Sequence, residues 1–142
     1  MREVFSLLAP KVLFAPKAAG TDNTPIVSEI IDVRNSRGCL LTLIMGTNTD
    51  TNATFAVLLE ESDDAAMGGA NDVADTDLLG TEALAAFTAA NDDKKCKILG
   101  YAGRKGYIRA TVTPSGNDSG NIFLAGLAQV MPKTAPTSNP PA

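Results

Sequence analysis

Clusters of Gly, Pro, Asn, Asp and Ser cut this chain at intervals too short for a long helix, and the runs between them are rich in Val, Ile, Leu and Thr. The clearest clusters are Asn35-Ser36-Arg37-Gly38, Gly46-Thr47-Asn48-Thr49-Asp50-Thr51-Asn52, Ala102-Gly103-Arg104-Lys105-Gly106 and Pro114-Ser115-Gly116-Asn117-Asp118-Ser119-Gly120. Between them, residues 26–27, 30–33, 40–45, 54–60, 97–101, 107–113 and 122–130 read as strands, with Val12, Leu13 and Phe14 as one more short piece. Roughly seven to eight strands so punctuated indicate an all-β chain folded as an antiparallel β-sandwich, jelly-roll-like. Two hairpins are expected: 40–45 with 54–60 across a long tip, and 97–101 with 107–113 across the glycine-bounded turn.

The ends differ from the middle. Residues 1–24 carry Pro10, Pro16, Gly20, Asp22 and Asn23 among short apolar pieces, which reads as an extended N-terminal arm. Residues 25–131 form the sandwich domain, and 132–142, rich in Pro, Ser and Thr, reads as a flexible tail or one laid on a partner. Residues 61–80 hold Asp63, Asp64, Asp72, Asp75 and Asp77 among glycines and alanines, so a long, acidic, solvent-facing connection is expected, anchored by Val73, Leu78 and Leu79. Residues 81–90 allow one short helix capped by Thr81, or an irregular strand around Leu84 and Phe87.

A chain of 142 residues suits one hydrophobic core. Apolar residues make up 44% but aromatics only 5%, with no Trp, so the core must come from Leu, Ile, Val and Ala. Such a thin core gains from association, because a partner buries apolar surface that a monomer leaves wet. The net charge of −4, with 12 Lys and Arg spread along the chain, excludes the dense basic face a nucleic-acid binder needs. No apolar run approaches bilayer length, and Pro10, Lys11 and Pro16 break the N-terminal piece, so no membrane partner is expected and synthesis in a cytoplasm is.

The chemical inventory is sparse. With no His anywhere, Ser-His-Asp and Cys-His schemes are absent, and nothing sets Ser28, Ser36 or Ser62 beside a lysine, so no catalytic residue is assigned. Two cysteines, Cys39 and Cys96, cannot complete a zinc site, and both read as reduced thiols among apolar neighbours, with one disulfide between them as the alternative. The spacing Asp72-x-x-Asp75-x-Asp77 lacks the alternation and closing Glu of a calcium loop, so no metal or cofactor is expected. Gly103-Arg104-Lys105-Gly106 has the form of a GxxG nucleic-acid clamp, but that loop joins two helices, whereas here residues 107–113 read as a strand. Arg104, Lys105 and Arg109 are left either as a small basic spot, suited to the acidic loop of a second copy or of a partner, or as an ordinary charged turn that keeps a sheet edge soluble.

Three stretches carry a family resemblance: Asp75-Thr76-Asp77-Leu78-Leu79-Gly80-Thr81-Glu82, Lys97-Ile98-Leu99-Gly100-Tyr101-Ala102-Gly103, and Tyr107 through Asn117. Across about residues 25–131 the chain resembles the head cement, or decoration, proteins of tailed bacteriophages, of the type known from Bordetella phage. That resemblance implies a jelly-roll-like virion structural protein, made in the bacterial host cytoplasm. It would sit on the capsid exterior, associate with itself as a dimer or trimer, and bridge adjacent major capsid protein subunits. The candidate contact residues are Val12, Leu13 and Phe14 in the arm and Arg104 and Lys105 in the turn. A head-completion, neck or tail protein is the alternative within that setting. A lectin-like ligand-binding sandwich is the alternative of another class, and it would have to use Tyr101 or Tyr107 as its aromatic platform.

Overall fold

The structure, a computed structural model, describes residues 4–16, 20–88 and 91–134. A short 3₁₀ turn at Phe5–Leu7 leads into β1 (Ala9–Phe14), followed by two short strands, β2 (Ile26–Val27) and β3 (Ile31–Asp32). The long strands β4 (Ser36–Met45) and β5 (Thr54–Ser62) come next. The acidic middle supplies β6 (Asn71–Asp72), a 3₁₀ turn at Asp75–Asp77 and β7 (Leu78–Leu79). Then follow α1 (Glu82–Ala85), β8 (Phe87–Thr88), β9 (Cys96–Tyr101), β10 (Tyr107–Ser115) and β11 (Leu124–Pro132).

These strands form two antiparallel sheets packed face to face. One is five-stranded, in the order β1-β11-β4-β9-β7. The other is built on the β10–β5 pair, which runs from Tyr107↔Ser62 to Ser115↔Thr54. Its two outer positions are each filled by broken strands: β2 and β3 both lie along β10, and β6 and β8 both lie along β5. The fold is thus the jelly-roll-like antiparallel sandwich that the punctuation predicts. Every second residue of β5 and β10 over most of their length is buried, the period a sheet needs to close a core on one face.

The core joins Leu41, Leu43, Leu99 and Val130 of the first sheet to Val57, Leu59, Ile108 and Val112 of the second. It is less purely aliphatic than composition suggests. Phe55 and Phe87 stack with centroids 4.7 Å apart, and Tyr101 is buried with its hydroxyl donating to Glu61 Oε2 at 2.7 Å across the sandwich.

Neither expected hairpin forms. β4 pairs with β11 and β9, whereas β5 pairs with β10, so residues 46–53 cross from one sheet to the other. Residues 102–106 do the same between β9 and β10. Turn formers permit a chain reversal but do not decide whether the second strand lands beside the first or across the ~10 Å gap between sheets. Here buried polar groups hold the crossovers. Asp50 accepts from the N–H of Asn52, Asp118 and Ser119 and from the Ser119 hydroxyl. The Tyr101 hydroxyl accepts from the Lys105 N–H at 3.0 Å.

The residues expected as an arm are largely built into the sandwich. β1 pairs with β11 from Ala9↔Val130 to Phe14↔Gly126, Gly20 bridges to Ile122, and the Asn117 side chain donates to the Asp22 carbonyl at 2.8 Å. Of the expected tail, Pro132 ends β11 and 135–142 lie outside the described residues. The acidic connection is no free loop either, since it closes the open edge of β5. The Leu59 N–H donates to Glu82 Oε1 at 2.5 Å, its carbonyl accepts from Val73 N–H, and Val73 and Leu78 are buried, although Leu79 is exposed. Thr81 caps α1, its hydroxyl accepting from the Leu84 N–H at 3.1 Å.

Candidate functional site

The two sheets differ in what they show to solvent. The second presents a polar face: Thr111 and Thr113 alternate with Arg109, whose guanidinium pairs with Glu60 at 2.8 Å. Beside them Arg34 lies over the Tyr107 ring at 4.9 Å and pairs with Asp32 at 2.6 Å. This is the ordinary wet face of an antiparallel sheet.

The outer face of the five-stranded sheet has another composition. Alternation and register place Val12 beside Leu127, Leu127 beside Thr42, and Thr42 beside Ile98 in one row across β1, β11, β4 and β9. The next row is Pro10, Gln129, Leu40, Gly100 and Leu79, and a third joins Ala125, Ile44 and Cys96. Among the described residues none of these positions is charged at neutral pH. Lys11 and Lys97 fall in the opposite phase, Lys97 reaching Asp92 at 3.1 Å, and Arg37 stands at the rim, donating to the Lys133 carbonyl. Large apolar side chains are wet here: Val12 is 54% exposed, Ile98 60% and Leu79 68%. An apolar hollow of ≈ 390 Å³ lies between Leu40, Leu79, Ile98, Gln129 and Met131, with Arg37 also lining it. Gly100 sets its floor, since a Cβ there would come within 2.8 Å of the Leu79 Cβ.

A contiguous apolar sheet face of this kind leaves wet a surface that gains from being covered. One of the five contact candidates, Val12, lies on it. Leu13 and Phe14 do not: the register slips between Val12 and Phe14, so the alternation breaks and both turn into the core. There the Phe14 ring packs against Gly126, where a Cβ would lie 2.6 Å from it. Arg104 is exposed on its turn, but Lys105 pairs with Asp63 at 2.6 Å, and that carboxylate holds the ammonium above its ordinary pKa. The basic spot is therefore answered within the chain, Lys105 by Asp63 and Arg109 by Glu60.

Sequence reading missed Leu40, Ile44, Leu79 and Ile98. A signal was present: residues 39–45 are apolar at almost every position, and a strand apolar in both phases presents apolar side chains on both faces of its sheet. As for the aromatic platform of a lectin-like site, Tyr101 is buried and Tyr107 lies under Arg34. The two thiols sit at opposite ends of the β4–β9 ladder, at Cys39↔Tyr101 and Ile44↔Cys96. Five residues of strand, about 17 Å, separate them, and a disulfide spans less than about 7 Å between Cα atoms.

No protein-family model matches the chain, and no curated protein matches it. Among solved structures it is similar to CBM35 from Paenibacillus barcinonensis, at 11% identity and a TM-score of 0.40, covering 94% of this chain and 96% of that one. It is also similar to the CBM22-1–GH10 modules of Clostridium thermocellum endo-1,4-beta-D-xylanase 10B, at 13% identity and a TM-score of 0.42, covering 95% of this chain and 28% of that one.

Proposed function

We propose that this protein is a virion structural protein that binds the outer capsid surface and cements adjacent major capsid protein subunits. The observation that carries the reading is the apolar face of the five-stranded sheet, with Arg37 alone among charged residues lining its hollow: a chain whose work is to be covered by protein keeps such a surface, at a cost in solubility that a free-standing domain avoids. The phage setting comes from the resemblance of residues 75–82, 97–103 and 107–117 to decoration proteins. Cementing follows by linkage, because a ligand that binds only the assembled shell stabilises that state by its differential affinity.

The test is a count of this chain against the major capsid protein in gradient-purified particles. A ratio near that of the capsid lattice supports decoration. A single ring's worth moves the protein to the neck or tail, and absence from the particle overturns the virion reading.

A further inference from the structure

We infer that the open edge of β9 at Cys96 and Ile98 takes an extended segment of a partner protein as an added strand, apolar at alternate positions and ending in a carboxylate. The partner is the protein that covers the neighbouring apolar face, so the inference rests on the function proposed above and says how that partner is held.

The backbone makes the opening. β9 pairs with β4 along its whole length, but on its other side β7 meets only Tyr101 and Gly100. Alternate residues of an antiparallel strand turn their N–H and C=O to opposite sides. The Lys95 carbonyl accepts from the Met45 N–H of β4, and the Ala102 N–H donates to the Asp77 carbonyl just before β7. Odd-numbered residues of β9 therefore face β4, and even-numbered ones face the side of β7. Gly100 is met there by Leu79, but Gly80, at φ +94°, then turns the chain away into Thr81 and α1. The next two rungs, Ile98 and Cys96, are left: among the described residues no group bonds to their backbone on that side, and both residues are exposed.

Proteins usually blunt such an edge with a proline, a charge or a cover. The other edge of this sheet is treated so: β1 carries Pro10 and Lys11, and its Leu13 carbonyl is taken by the Glu29 N–H at 2.9 Å. On β9 the one charged side chain, Lys97, turns to Asp92 at 3.1 Å and guards nothing.

The surroundings choose the occupant. Residues set opposite Ile98 and Cys96 fall on the outer face, where they extend the apolar row of Thr42 and Ile98 beside Leu79, so apolar side chains fit both positions. Running antiparallel to β9, as β7 does, the segment ends beside Lys94, which is exposed and in no ion pair among the described residues. A carboxylate at that end answers it. A second copy of this chain does not fit: pairing Ile98 of one copy with Cys96 of another sets Lys94 of each opposite Gly100 of the other, a place β7 already fills. Strand addition draws affinity from main-chain bonds and selectivity from alternate side chains, and both are on offer here.

Residue-resolved hydrogen exchange of the full chain, free and bound in gradient-purified particles, tests this. The Cys96 and Ile98 amides should exchange rapidly in the free chain and about 10-fold or more slowly in particles, whereas the Leu99 amide, which faces β4, is protected in both. Ile98→Pro deletes the outward N–H without touching a β4 rung, and Ile98→Val keeps it; the first should lower occupancy on particles about 10-fold at limiting protein, the second less than about two-fold. If thermal unfolding shows Ile98→Pro unfolded, the exchange of the wild-type chain decides. Slow exchange at Cys96 and Ile98 in the free chain, or unchanged exchange in particles that carry it, overturns the inference and leaves the virion reading standing. Absence of the chain from particles overturns that reading and this partner with it.

Discussion

The two cysteines lie in adjacent strands of one sheet and have opposite fates. Cys39 points into the core, where burial pushes its thiol up to about 12, and Cys96 is exposed on the outer face of the same sheet. Thiol reactivity follows the thiolate and its access. A disulfide-exchange reagent should therefore titrate one thiol in the native protein and two after unfolding; two native thiols would mean that β4 does not hold Cys39 inward. Tyr101 offers a second residue-scale check. Its hydroxyl links Glu61 of the opposite sheet to the Lys105 N–H, so Tyr101→Phe removes a donor and an acceptor at once. The expected loss is about 1–3 kcal/mol in urea unfolding, with the slope unchanged.

At the scale of elements, the crossovers are held by carboxylates. Asp50 sits below its ordinary 3.8, first because the Ser119 N–H donates to it, then through Asn52, Asp118 and the Ser119 hydroxyl, against the opposing effect of burial. Burial of Asp92 pushes its pKa upward, but the Thr88 N–H and Lys97 outweigh this and hold it low as well. A depressed native pKa contributes stability that is fully present above the unfolded value of 3.8 and is lost as pH falls through the lower native value. Stability should thus be insensitive to these groups near neutrality and drop below about pH 4, and Asp50→Asn should flatten that acid limb. Unfolding curves between acid and neutral pH read both effects. The β10–β11 crossover adds a steric check: at Gly120 a Cβ would fall 2.4 Å from the Asp50 backbone nitrogen. Gly120→Ala should lower the melting temperature more than Gly69→Ala, where φ is +61° but space is open.

For the whole molecule, a partner that covers the apolar face adds to stability by mass action. Major capsid protein should raise the melting temperature of the wild-type chain and leave that of Ile98→Glu unchanged, which thermal unfolding with and without it reads. Much of this protein was legible in its residues. Glycine and asparagine clusters between β-branched runs determined an antiparallel sandwich, Thr81 marked its helix, and Val73 and Leu78 marked the anchors of the acidic segment, because these are local preferences that tertiary context did not reverse. The partners of each strand were not legible. Residues 46–52 and 102–106 bend the chain equally well into a hairpin or into an arch, and only the global fit of two inner faces, with Asp50 and Tyr101 bonded across it, selects the arch. The surface was half legible for the same reason. The run at 39–45 announced a strand apolar on both sides, but which β1, β9 and β7 residues would complete that face depended on register, and one slip between Val12 and Phe14 sent Leu13 and Phe14 to the core while leaving Val12 in solvent.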